Sequence, residues 1–339
     1  MNAHLHGAAQ GLVLGEALSW TGMYQRSYLL PFWTRRKRRE IESQYENDAL
    51  IELSLPFALN QPTDTFTPGP GLHAEWFAFQ LEILQRNDER YSSAVALDAW
   101  RELLEQRDSL RLTISQHATL ENLARGKRPP VTGYDNPHYF DDGACFRALP
   151  LAVLLSHDSV GLTACVTEDA VISHTQDGVW AAQAYAAAVA GVIETGDVKA
   201  SLEQALTHLP EDSWIGRLTR LALSASESVE TLLELIHLLS KNIVNPAYNY
   251  GNSAAETVPI TFAILNFTQG DMHQSLFAAL ALPRTAGSVA PLVGALCGVL
   301  NPEAAATSAV FGTKLAGISL PMFKDVDLID LLDMKAVKP

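Results

Sequence analysis

The sequence predicts an all-α protein built around one helical domain, and three observations carry that expectation. Apolar residues recur at i, i+3, i+4 and i+7 over long segments, the period of a helix with one buried face. Alanine is abundant in those segments, which favours helix and lets helices approach closely. No run of alternating Val, Ile, Thr and aromatic residues lies between hairpin turns, so no substantial sheet is expected. The chain has 339 residues, 47% hydrophobic and 18% charged, enough apolar mass for a large core.

From the N-terminus, MNAHLHGAAQGLVLGEALSW has no basic leading segment and its apolar stretch already carries Glu16, so it reads as the first helix of the fold and not as a signal peptide. Arg35 to Arg39 sets five cations together, either as a solvated helix end paired with Glu40, Glu42 and Glu46 or as an anion site. Gln61 to Gly71 holds three Pro and two Gly and cannot be helical. The helical period then runs over Glu75–Leu84, Ala94–Leu104, Trp180–Ile193, Leu221–Leu239 and Ala255–Leu265. Between them, Gly126–Asp142 and Asn245–Ser253 read as irregular, and long loops inside a helical domain are where binding surfaces tend to lie.

Phe277 to Leu300 is apolar for long enough to span a bilayer. Pro283-Arg284-Thr285-Ala286-Gly287-Ser288 breaks it, so a loop feeding a tightly packed helix is expected instead. The segment from Lys324 predicts a short acidic amphipathic helix. No linker or composition shift divides the rest, giving one domain over 1–323 and an acidic tail over 324–339.

Lys plus Arg number 24 against 38 Asp plus Glu, a formal charge of −14. Such a chain repels the phosphates of nucleic acids and anionic lipids, so neither nucleic acid nor membrane is an expected partner. Cys145, Cys165 and Cys297 are odd in number, widely spaced and set among small or apolar neighbours. They read as free, buried or half-buried thiols of a cytoplasmic protein. Walker A, G-x-G-x-x-G, H-E-x-x-H and G-x-S-x-G patterns are all absent. The histidines, His73, His117, His138, His157, His174 and His208 among them, have no metal-ligand spacing.

Five segments, in order, resemble the ADP-ribosylglycohydrolase family, which also contains the J1 crystallins. Gly11-Leu-Val-Leu-Gly15-Glu16-Ala17-Leu18 resembles the family's opening G-x-x-x-G-D-A-L-G, with Glu16 for Asp and Ser19 for the last Gly. Asp142-Gly143-Ala144-Cys145-Phe146-Arg147-Ala148-Leu149-Pro150-Leu151 resembles N-G-a-a-M-R-v-x-P-l, with Asp142 for Asn. Ser173-His174 before the alanine-rich helix resembles its Thr-His element, and Ala255-Glu256-Thr257-Val258-Pro259 its A-x-E-x-[VL]-P segment. Val289 to Gly298 resembles the helix that ends the motif region.

The resemblance implies a helical domain with a cleft holding two magnesium ions beside an ADP-ribosyl group. It also implies a Thr-Asp-Asp and an Asp-x-Asp-Thr element as the metal ligands, and both are degenerate here. The second falls on Thr285-Ala286-Gly287-Ser288. The first falls between Thr67 and Glu75, where no Asp stands, Asp64 being the nearest. Magnesium needs hard anionic oxygens in near-octahedral geometry, and paired cations need carboxylates between them. No bound magnesium and no other cofactor is therefore expected, and whether the chain is an enzyme stays open.

Three functions follow from this. In the first, favoured, the chain is a pseudoenzyme whose cleft binds an ADP-ribose-like or other phosphate-bearing small molecule, or a protein partner. His174, Tyr250, Gly251, Asn252, Arg284 and Ser288 are then the contact candidates. In the second it hydrolyses glycosidic bonds without metal through a carboxylate pair, Glu16 with Glu75 or Asp142. In the third it is a structural or assembly protein with a closed cleft. The loop before Ala255 also reads as a helix N-terminus, with Asn252 or Ser253 as cap and Glu256 completing a capping box.

Overall fold

A computed structural model describes residues 2–27, 68–88, 90–245, 250–307 and 311–333, with side chains of the first helix followed as far as Ser19. In chain order the helices are α1 (Ala3–Ser27), α2 (Leu72–Gln85), α3 (Ser93–Glu102), α4 (Ile114–Ala124), α5 (Val131–Tyr134), α6 (Gly143–Leu154), α7 (Ser159–Ala170) and α8 (Asp177–Thr195). They continue as α9 (Val198–Leu206), α10 (Trp214–Ser228), α11 (Leu232–Asn242), α12 (Ala254–Thr268), α13 (Met272–Leu280), α14 (Ala286–Leu300), α15 (Pro302–Thr307) and α16 (Leu328–Asp333). Among the described residues extended pairing is limited to two isolated bridges, Asp141 with Ser253 and Lys314 with Asp327.

Small residues set the central packing. α1 lies along α14, and a Cβ at Gly7, Gly11 or Gly15 would overlap the backbone carbonyls of Gly298, Gly294 and Ala290 respectively. The glycines four apart are thus contact points of two helices at backbone distance. Around this pair, the alanine-rich face of α8 meets α6, α7 and α9, and Tyr185 at its centre donates its hydroxyl to Leu292 O at 2.8 Å. Phe77, Phe79, Trp76, Trp100 and Phe146 fill the other side of the core.

The expected helices form, with one difference. The apolar period over Leu221–Leu239 belongs to two helices, not one. α10 ends at Ser228, and Thr231 restarts the chain as the N-cap of α11 with Glu234 completing a capping box. The apolar stretch Phe277–Leu300 breaks where Pro283 falls, between α13 and α14, and among the described residues no helix is long and apolar enough to cross a membrane. Cys145 and Cys297 are buried, Cys165 is half-buried, and all three are free.

The C-terminal segment runs back over α1 and α2, with Leu315, Leu320, Phe323, Leu328 and Leu331 buried. Pro339 and its neighbours from residue 334 onward, Arg35–Arg39 and Asp64 lie outside the described residues.

Candidate functional site

The site is assembled where the starts of α2, α6, α12 and α14 come together, and buried carboxylates hold the starts of α2 and α6. Glu16, on α1, reaches the first turn of α2. Its Oε2 accepts from Gly71 N (2.7 Å) and Ala74 N (3.1 Å), and its Oε1 from His73 N (2.8 Å) and His73 Nδ1 (2.9 Å). The helix has no cap from its own chain, since Gly71 precedes it. A carboxylate here satisfies amides that no i−4 carbonyl reaches and complements the helix dipole.

Glu75 is fully buried one turn further on. Its two oxygens take three consecutive amides of the C-terminal segment, Ile318 (2.6 Å), Ser319 (2.7 Å) and Leu320 (2.7 Å). Burial still pushes its carboxyl above the ordinary range against those three hydrogen bonds, and the charge of Glu16 adds to the push. Trp76 Nε1 donates to Ser319 Oγ at 3.1 Å, so adjacent residues of α2 clasp one loop.

Asp141 is the hub of the floor. Its Oδ2 accepts from Ser115 Oγ (2.5 Å), His138 Nδ1 (3.4 Å) and Asn252 Nδ2 (3.5 Å); its Oδ1 accepts from His174 Nε2 (2.6 Å) and Gly143 N (3.0 Å). Burial alone would raise this carboxyl. The charge of His174, together with hydrogen bonds from His138, His174 and Ser115, holds it well below the usual carboxylate range. A chain continues inward. Ser173 Oγ lies 2.7 Å from His174 Nδ1, Arg147 Nη2 donates to Ser173 Oγ (2.8 Å), and Arg147 Nε donates to Asp169 (2.9 Å).

Asp142, next in the chain, is equally buried and differently placed. Its backbone amide donates to Asn252 O at 3.0 Å, but its Oδ2 has no hydrogen-bond partner. Burial, joined by the negative charge of Asp141, pushes its carboxyl up to about 7. Opposing this are the charge of His73 and the hydroxyls of Thr257 and Ser288. Glu256, in the first turn of α12, repeats the pattern: Oε2 accepts from Asn245 N at 3.0 Å, Oε1 is unpartnered, and burial pushes it to about 7 against the charge of Arg284. The expected capping box therefore does not form. Ser253 is the N-cap without a side-chain hydrogen bond, because Glu256 turns toward Asn245 instead.

Between these residues opens a narrow cleft lined by Leu72, His73, Trp76, Asp142, Phe146 and Asn252, with Asp141, Gly143, Thr113 and Gln116 completing it. It encloses about 250 Å³ counted out to the solvent, with inner room for about one water molecule. His73 stacks on Phe146 with ring centres 3.9 Å apart.

Of the nine residues picked out in the sequence, Asp142 and Asn252 meet at this cleft, and Ser288 adjoins Asp142 behind it. Gly251 comes up against Arg284, where a Cβ would overlap the Arg284 carbonyl. Tyr250 is half exposed at the rim, its ring edge-on to His138 at 5.1 Å. His174 is fully buried beneath Asp141, with both nitrogens engaged by protein. Glu16 and Glu75 adjoin the cleft, with their oxygens directed at backbone amides. Ser115 and Asp169 carry no signature of their own in the sequence. Thr113 and Gln116 form a capping box that the T-x-x-Q spacing announces, and that cap presents Ser115 to Asp141.

Among the described residues no group of three or more His, Cys, Asp or Glu is arranged to hold a metal ion. The donors at Thr285 and Ser288 are uncharged hydroxyls and Gly287 offers only backbone.

Fold and site together define an all-helical protein with an acidic cleft at converging helix starts. The ADP-ribosylglycohydrolase family model matches residues 2–305, and the chain belongs to that family. Among solved structures it is similar in fold to an ADP-ribosylglycohydrolase-related protein complex, at 16% identity and a TM-score of 0.52, covering 98% of each chain. No curated protein matches it.

Proposed function

We propose that this chain is a member of the ADP-ribosylglycohydrolase family that works without the dinuclear magnesium centre, as a pseudoenzyme binding an ADP-ribose-like ligand or a protein partner. The observation that carries this reading is how the carboxylates are used. Glu16 receives four hydrogen bonds, Glu75 three and Asp141 five, all from protein donors. A magnesium ion binding any of them would have to displace those donors, leaving buried amides unpaired at about 1–3 kcal/mol each. The described residues therefore do not fit a magnesium pair. A carboxylate-pair hydrolase meets the same obstacle, because a nucleophile or base needs a free oxygen and only Asp142 of the three candidates has one.

The phosphate-bearing end of a ligand would lie toward Arg284, since Asp141 and Asp142 repel phosphate inside the cleft. The narrowness of the cleft supports a second reading, a structural or assembly role in which the pocket stays shut. Thermal unfolding with ADP-ribose, in EDTA and in excess magnesium, separates these. A midpoint raised by ADP-ribose equally in both is expected. A midpoint raised by magnesium alone sinks the metal-free reading, and no shift in any arm favours the closed cleft.

A further inference from the structure

The cleft has acceptors without donors. Asp142 Oδ2 and Asn252 Oδ1 both belong to residues that line it, and neither has a partner. The Asn252 orientation is fixed, since its amide nitrogen faces Asp141, which as an ionised carboxylate only accepts. On the first turn of α12 just behind, Ser253 Oγ and Glu256 Oε1 are buried and unpartnered too. Donors that might have answered them are spent: Gly143 N is taken by Asp141, and the Thr113–Gln116 pair cap each other.

We infer that the cleft at Asp142 and Asn252 binds a single monovalent cation of about the size of a water molecule, potassium or ammonium. Three features of the cleft favour such an ion. A buried carboxylate oxygen left without a partner is costly, and a cation offsets that cost. Asp141 adds a second full negative charge directly beside it, in a chain whose formal charge is −14. The inner room matches an ion of water size, and amide and carboxylate oxygens are the ligands hard cations take. A divalent ion is disfavoured because only one unspent carboxylate oxygen lines the space. This inference rests on the magnesium-free reading of the same cleft and names what occupies it.

The test is the unfolding midpoint of the full chain at pH 8 in EDTA, at constant ionic strength, with potassium, ammonium, lithium or N-methylglucamine as the cation. Potassium and ammonium are expected to raise the midpoint saturably while lithium and N-methylglucamine do not. Asp142→Asn is expected to abolish the dependence, and Asn252→Ala to raise the half-saturating concentration about tenfold. Identical midpoints in all four salts mean that water fills the site, and the inference fails. A potassium effect that survives in Asp142→Asn overturns it equally. Should Asp142→Asn not fold, Asn252→Ala decides, an unchanged half-saturation counting against the site. A magnesium arm keeps the two readings apart: stabilisation by magnesium with none by potassium defeats both. Neither ion acting defeats only the cation site.

Discussion

Asp141 and Asp142 are neighbours in the chain, both buried, and oppositely provided for: five donors converge on the Asp141 carboxylate, while Asp142 keeps an oxygen with none. The cause is position. Asp141 precedes the N-cap of α6, where it reaches the amide of Gly143 and meets Ser115 from α4 and His174 from the turn before α8. Asp142 is the N-cap itself, with its side chain turned to α12 and α14. Holding the first ionised makes the second harder to ionise, which separates two groups that are identical in sequence.

That separation predicts opposite effects for the same substitution. Asp141→Asn puts an amide among donors and leaves His174 or Ser115 unanswered, costing about 3 kcal/mol or more. Asp142→Asn removes a buried charge that has one unpartnered oxygen and should be neutral to stabilising at pH 8. Urea unfolding of both variants checks this, and equal losses would show that the two carboxylates are not differently used.

The raised acids predict a pH dependence of defined sign. Asp142 and Glu256 titrate near 7 in the folded chain and near 4 when unfolded. Between those values the folded state holds protons that the unfolded state has released, so stability falls as pH rises through the window and recovers as pH drops. Each contributes about 4 kcal/mol at most. The groups facing them, Asp141 and His73 on one side and Arg284 on the other, are already counted in these shifts. The double variant Asp142→Asn, Glu256→Gln should show a flatter stability profile between pH 8 and pH 5 than the parent; a difference that does not change with pH would contradict the assignment.

Glu16 predicts a stability loss separable from ligand binding. Glu16→Gln can answer some of the four donors with its carbonyl, but turns an NH₂ toward the others. A loss of about 2 kcal/mol is expected, with faster hydrogen exchange at Gly71, His73 and Ala74. Unchanged exchange at those amides would mean that α2 is held at its start by something else.

How much of this is legible in the sequence depends on the residue. Helices announce themselves through period and caps, so α2, α3, α8 and α12 were expected within a few residues, and the Thr231–Glu234 box could have split Leu221–Leu239 correctly. The carboxylates were legible only as candidates. Whether Glu16 and Glu75 face a ligand or a backbone amide depends on loops brought in from 55 and more than 240 residues away, and no local pattern carries that information. His174 stood out through its motif, but its full burial follows from the packing of Asp141 over it. The same holds for Arg147, a motif residue whose charge is neutralised by Asp169 inside the core.

Gly11 gives the sharpest case of a motif with a physical meaning beyond its pattern. Gly11 and Gly15 lie four residues apart on one face of α1, and opposite Gly11 stands Gly294 of α14, each occupying the space a Cβ of the other would need. The obstructing atom in both directions is backbone, which cannot swing aside as a flexible side chain does. Gly11→Ala must therefore push α1 and α14 apart along their length, disturbing the starts of both helices' neighbours and with them the position of Glu16 one turn on. Alanine's better helix propensity returns about 1 kcal/mol, whereas overpacking of this kind costs about 1–3 kcal/mol or more. The expected result is a net loss of about 2 kcal/mol in urea unfolding, accompanied by weaker protection of the Gly71 and His73 amides. The control Gln10→Ala, half-buried on α1 and away from the glycine seam, should be neutral within about 0.5 kcal/mol. A Gly11→Ala variant as stable as the parent would show that the two helices can separate freely, and that the glycines are not what sets their distance.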